Sequence, residues 1–222
     1  MHKERYFTVE TIQWKSQELL ATVADARDRH ANICFNPEKA ALLLLDLQEY
    51  FLQEDSHAFV PSAKAILSGV SRLANAFHKA GFPVIATRHL NTPQDAGMMA
   101  KWWRDIILPN SARSQNITLI ISPNTIFINK PQYDAFLNTE LEELLRQKGV
   151  EQVVVCGVMT HLCCETTARS AFMRGFEVFF TVDGTATYNE RLHRASLLTL
   201  SHGFAIPVLI EELMCQMEYD ET

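Results

Sequence analysis

Apolar residues gather into short unbroken runs, separated by stretches whose apolar positions follow a helical period. Five runs read as buried strands: Ala40 to Leu45, Phe82 to Thr87, Thr125 to Ile128, Gln152 to Cys156 and Glu177 to Val182. They are apolar without strict alternation, the pattern of strands covered on both faces, as in a parallel sheet. A sixth run, Ala205 to Ile210, contains Pro207 and suits a sheet edge, where a missing N–H costs no ladder bond. Between the runs, Ala63, Ile66, Leu67, Val70, Leu73, Ala74 and Phe77 form one helical stripe, with Ser62 to cap its start and Gly81 its end. Thr139-x-x-Glu142 has the spacing of a capping box for a helix that stops at Gly149. Two more helices are expected, from about Cys163 to Arg174 and from about Asn189 to His202, each followed by glycine. Such alternation predicts a doubly wound α/β fold.

Two stretches stand outside that pattern. Residues 10–30 carry a weaker, more polar helical signal, expected of an arm lying on the core or on a partner subunit. This divides the chain into an N-terminal helical arm, 1–37, and a domain, 38–222. Residues 90–124 form a long connection containing Trp102, Trp103 and several Pro, Asn and Ser, as expected of a lid or binding loop.

Composition narrows the class. With 222 residues, 47% apolar and 21% charged, and only 8 Gly and 8 Pro, the chain is globular and long enough for a sizeable core. A net charge of −6 disfavours nucleic acid as a partner. Five irregularly spaced cysteines make a poor disulfide framework, so a reducing cytoplasm is the expected compartment. The polar start does not read as a signal core, and no apolar run reaches the roughly 18 residues of a membrane span.

Ligands of open α/β sheets bind beyond the carboxyl ends of the strands, so the residues after each run carry the candidate chemistry. Asp46 ends the first run, Arg88 and His89 the second, Lys130 the third. The fourth leads into Gly157-Val158-Met159-Thr160-His161-Leu162-Cys163-Cys164. Each residue alone has a plain structural role open to it: an Asp in a turn, a Lys in solvent, a Cys in a core. Their convergence on one rim is what suggests a cysteine hydrolase. Cys163, at a helix start and near Lys130, would be held as a thiolate. Asp46 would carry the proton, and amides near the helix start would receive an oxyanion. Cys156 and Cys164 read as core.

Asp46-Leu47-Gln48 after its apolar strand, Lys130 with Phe136 and Leu141 downstream, and Gly157 through Arg169 resemble the isochorismatase-like cysteine hydrolases over about residues 38–215. The resemblance implies a six-stranded, mostly parallel sheet between helices, a three-layer α/β/α sandwich. It implies a catalytic triad of Asp46, Lys130 and Cys163 and a cis peptide at Val158–Met159. It also implies an oxyanion hole from the amides of Met159 and Cys163.

Two branches of the family bear on the chemistry. Nicotinamidases carry a metal held by Asp and His. Asp55-Ser56-His57 has that spacing but reads as a surface loop and the full ligand set is missing, so no metal is expected; no dinucleotide glycine fingerprint follows any strand, so no organic cofactor is expected either. True isochorismatases cleave a vinyl ether with the Asp as acid and have Gly where this chain has Cys163. The reading adopted is amide hydrolysis through a thioester on Cys163. The alternatives are vinyl-ether cleavage by Asp46, and a degenerate member that binds a ligand or senses oxidants. Gln48, Arg88, His89, Trp102, Trp103, Tyr133 and Phe136 are the candidate contacts for a small planar substrate. His161 is read as structural, and Asp183 and Thr185 as shaping the turn after the fifth strand. The polar arm suggests a homodimer or homotetramer.

Overall fold

A computed structural model describes residues 1–117 and 122–218. In chain order its elements are α1 (Ile12–Ala21), α2 (Ala24–Asp28), β1 (Ala40–Leu45), α3 (Glu49–Leu52), α4 (Ala63–Lys79), β2 (Val84–His89), α5 (Met99–Trp102) and β3 (Ile126–Lys130). There follow α6 (Leu141–Gln147), β4 (Gln152–Val158), a π-helical turn (Thr160–Cys164), α7 (Glu165–Met173), β5 (Glu177–Ala186), α8 (Glu190–Gly203), β6 (Ile206–Val208) and α9 (Ile210–Glu218).

All pairings in the sheet are parallel, in the order β3-β2-β1-β4-β5-β6. β6, with Pro207, lies at the edge. The chain winds outward from β1 through β2 to β3, then crosses to β4 on the other side of β1. β1 and β4 therefore flank the switch point, where crossovers leave to opposite sides and a crevice opens. Every residue of β1 and of β4 is buried. Helices cover both faces: α4 packs with α9, and α7 with α8. The apolar stripe of α4 is buried through Ile66, Val70, Leu73 and Phe77. At Gly157, paired with Leu45, φ is +128° and a Cβ would meet the Leu45 carbonyl oxygen at 2.1 Å, so β1 and β4 approach here only because the residue is glycine.

Several local expectations are corrected. β5 runs on to Ala186, so Asp183 and Thr185 lie inside a strand and not in a turn after it. Asp183 Oδ1 accepts the N–H of Ile210 at 2.9 Å at the start of α9, and Thr185 donates its hydroxyl to Thr181. The capping box does not form: Thr139 Oγ1 accepts from Leu141 N and donates to Ala135 O, while Glu142 pairs with Arg174. Ser62 occupies the N-cap of α4 without bonding its own helix. Its hydroxyl takes the Phe7 N–H instead, tying down the N-terminal segment. That segment inserts Tyr6 and Phe7 into the core, and α1 packs against β5. Among the described residues no helix is long and apolar enough to cross a membrane.

Candidate active site

Four adjacent strands deliver the reactive groups to one rim. Asp46 follows β1 with φ +52°, a left-handed turn that Asp tolerates better than most side chains. Thr87, on neighbouring β2, locks this turn. Its hydroxyl accepts the Asp46 N–H at 3.1 Å and donates to Asp46 Oδ1 at 2.6 Å. Lys130 ends β3 opposite His89, and its ammonium lies 2.8 Å from Asp46 Oδ2, 3.4 Å from Cys163 Sγ and 2.9 Å from the Gln132 carbonyl oxygen. Val158–Met159 is a cis peptide, and the π-helical turn after it carries Cys163. Asp46 and Lys130 have no solvent exposure and Cys163 has 5%, the sulfur facing the pocket.

Burial works to raise the Asp46 carboxyl, but Lys130 and His89 outweigh it and hold the group below the usual carboxylate range. Burial likewise works to lower Lys130, and the neighbouring Asp46 and Cys163 reverse it, leaving the ammonium more basic than usual. Burial, followed by the Asp46 charge, pushes the Cys163 thiol up to about 12. The resting state is thus a buried carboxylate–ammonium pair beside a neutral thiol. This corrects the expected resting thiolate: desolvation and Asp46 together outweigh Lys130. Asp46 is the anionic acceptor within hydrogen-bonding reach of that thiol.

The pocket above the sulfur has a volume of about 260 Å³. Tyr50, Trp103, Tyr133, Met159, Leu162 and Tyr188 give it an aromatic and apolar wall, and Trp103 Nε1 donates to the Tyr133 hydroxyl at 2.6 Å. His89, Trp103 and Tyr133 line it as expected. The other expected contacts do not. Arg88 binds Asn129 and Gln115 and stacks over Phe127. Trp102, 73% exposed, points to solvent. Phe136 is buried against Phe176 under Arg174. Gln48 is a brace: its side chain bonds both the N–H and the carbonyl of His89, and the Ser114 carbonyl. His161 bonds Thr187 at 2.6 Å.

The sequence reading missed Thr87, whose signal was at most its place two residues before His89, and missed Asn91, Tyr50 and Tyr188. It also missed Met1 and Lys3, which line the pocket because the N-terminal segment folds back. The Glu4 N–H bonds the Tyr188 carbonyl, and the Lys3 ammonium sits 4.4 Å from the Tyr188 ring centre.

The residues do not suit an Asp/His metal centre. Asp55 pairs with Arg113 at 2.5 Å, and His57 turns to Asp105 and Tyr50. Among the described residues, one group of three potential ligands converges, Asp46, His89 and Cys163. The Lys130 ammonium already contacts two of them, occupying the cation's place.

The isochorismatase domain pattern matches residues 40–212. The chain belongs to the isochorismatase family. It is 42% identical over 183 residues to Nicotinamidase 3 of Arabidopsis thaliana, covering 80% of this chain and 88% of that one. It is 26% identical to an isochorismatase of Bacillus subtilis, over 90% of this chain and 64% of that one. A cysteine hydrolase from Pseudomonas syringae pv. phaseolicola superposes with a TM-score of 0.80 at 25% identity, covering 83% of this chain and 95% of that one. The protein is thus an isochorismatase-like hydrolase with a six-stranded parallel sheet between two helical layers.

Proposed function

We propose that the protein hydrolyses a small aromatic primary amide through a thioester on Cys163, with nicotinamide as the first candidate. The observation that carries the reading is the thiol itself, in hydrogen-bonding reach of a buried carboxylate and 3.4 Å from Lys130. The 42% identity to a nicotinamidase and the aromatic pocket of about 260 Å³ support a planar amide.

The steps follow from the charges. Asp46 takes the thiol proton as Sγ attacks the amide carbon, and the amides of Met159 and Cys163 receive the carbonyl oxygen's charge. Asp46 then protonates the leaving nitrogen, the C–N bond breaks, and ammonia departs. Water adds to the thioester carbon, the C–S bond breaks, and the proton returns through Asp46 to the sulfur. Lys130 stays charged throughout and keeps Asp46 ionised at rest.

Vinyl-ether cleavage needs Asp46 to carry a proton before the reaction starts, whereas Lys130 keeps it ionised at rest; in the thioester route Asp46 obtains its proton from the thiol. The test is ammonia release from nicotinamide by wild type and by Cys163→Ala. Release that disappears in the variant supports the proposal. Cleavage of isochorismate that survives Cys163→Ala and dies in Asp46→Asn overturns it.

A further inference from the structure

The wall of the pocket carries a cation that no acid balances. Lys3 lines the same cavity as Cys163. Its ammonium donates to the His57 carbonyl oxygen at 2.5 Å and lies 4.4 Å from the centre of the Tyr188 ring. Among the described residues no carboxylate pairs with it. An ammonium has three donors, and the carbonyl and the ring face account for two. Partial burial makes it less basic than usual, the mark of a charge that has lost water and gained no counter-charge.

The ammonium is held in place from its own chain. The Glu4 N–H bonds the Tyr188 carbonyl at 2.8 Å, and Tyr6 and Phe7 are buried in the core. Lys3 therefore meets a guest already positioned, with little ordering left to do. This segment lies ahead of residues 40–212, so the family pattern does not supply this part of the wall.

Neighbouring charges do not cancel it. Arg104 and Asp105 also line the cavity, and Asp105 already faces His57 at 3.3 Å and Arg104 at 3.8 Å. Burial, then Lys130, pushes His89 down to about 4, so that ring is neutral. Within the site, Lys130 and Asp46 offset each other. With His57 neutral, the wall carries two cations against one acid, in a chain whose net charge is −6. A cleft of one sign with low-dielectric walls concentrates ligands of the other sign. The rest of the wall is aromatic, through Tyr50, Trp103, Tyr133 and Tyr188. At about 260 Å³ the cavity is at the small end for ligand sites, so a ring whose amide sits at Cys163 shares one enclosure with Lys3.

We propose that the pocket selects aromatic primary amides that carry a ring carboxylate, and that Lys3 is the residue that recognises the carboxylate. This rests on the amide-hydrolysis reading above and narrows its substrate class to half-amides of aromatic dicarboxylic acids. The carboxylate is a bystander in the reaction: it takes the free N–H of Lys3 while Cys163 attacks the amide. Nicotinamide lacks that group, so it reports the chemistry and not the selection.

The experiment is steady-state ammonia release by the chain without an N-terminal fusion, for wild type, Lys3→Met and Lys3→Arg. The substrates are benzamide and its ortho, meta and para carboxylates. In wild type the best of the acids should exceed benzamide in kcat/KM by about fivefold or more, mainly through KM. That advantage should weaken as salt rises, vanish in Lys3→Met and persist in Lys3→Arg. Each variant is compared with itself on two substrates, so an inactive fraction cancels from the ratio. Wild type that turns over benzamide as well as or better than every acid overturns the inference, while amide hydrolysis stands. An advantage that survives Lys3→Met also overturns it, moving recognition to another residue such as Arg104. Ammonia release from nicotinamide and from all of these amides that is absent, or that survives Cys163→Ala, overturns the proposed function and this inference with it.

Discussion

Cys163 combines two properties that pull against each other: it is the nucleophile of the proposed reaction, and it is buried as a neutral thiol. Labelling should show this. At pH 7 iodoacetamide should modify exposed Cys34 and Cys215 first and Cys163 slowly. Peptide mapping that finds Cys163 labelled fastest would refute the neutral resting thiol. Legibility in the sequence splits along the same line. Asp46, Lys130 and Cys163 could be seen because each directly follows or closely trails an apolar strand. Their protonation could not, since it depends on burial and on distances of 2.8 and 3.4 Å that no spacing encodes. Arg88 and His89 are neighbours in sequence, yet alternation along β2 sends one outward and the other into the pocket.

Strands and helices set what each residue can do. The close approach of β1 and β4 depends on Gly157, and Gly157→Ala should destabilise the protein by at least about 3 kcal/mol, seen as a large fall in Tm or in soluble yield. Asp183, inside β5, is raised from 3.8 to about 6, first by burial, with Glu212 adding to it. A carboxyl raised on folding contributes stability below its unfolded value, and that contribution is lost as pH rises through the folded value. Asp183→Asn, which keeps an acceptor for Ile210, should therefore stabilise the protein by about 1 to 3 kcal/mol at pH 7.5. The gain should shrink to nothing near pH 4 in denaturant titrations. The extension of β5 was not visible in the sequence because Asp-Gly-Thr at 183–185 reads as a turn, whereas here the strand carries it past a register shift against β4. The strand order itself was legible only as a class, since apolar runs identify a buried parallel strand without saying which neighbours it takes.

At the scale of the whole molecule, the N-terminal segment joins the back of the site to its mouth. Tyr6 accepts the Thr187 N–H at 3.0 Å and shares a hydrogen bond with His193 Nδ1 at 2.8 Å, while Thr187 bonds His161 of the turn that carries Cys163. Tyr6→Phe leaves two buried partners unpaired and should cost about 1 to 3 kcal/mol by chemical denaturation. His193 is buried and pushed down to about 3, so its contribution to stability is full above pH 6.5 and is lost as pH falls from there toward 3. The polar pattern of residues 10–30 carries little sign of this role, because the residues that anchor the segment, Tyr6 and Phe7, lie ahead of that helical stretch.

Because Met1 and Lys3 form part of the cavity's wall, the choice of purification handle becomes an enzymological variable. A peptide fused ahead of Met1 would begin at that wall. It would crowd the pocket or displace the Lys3 side chain from Tyr188. KM values taken on such a fusion would report the handle together with the enzyme, and removing the handle should change KM more than kcat.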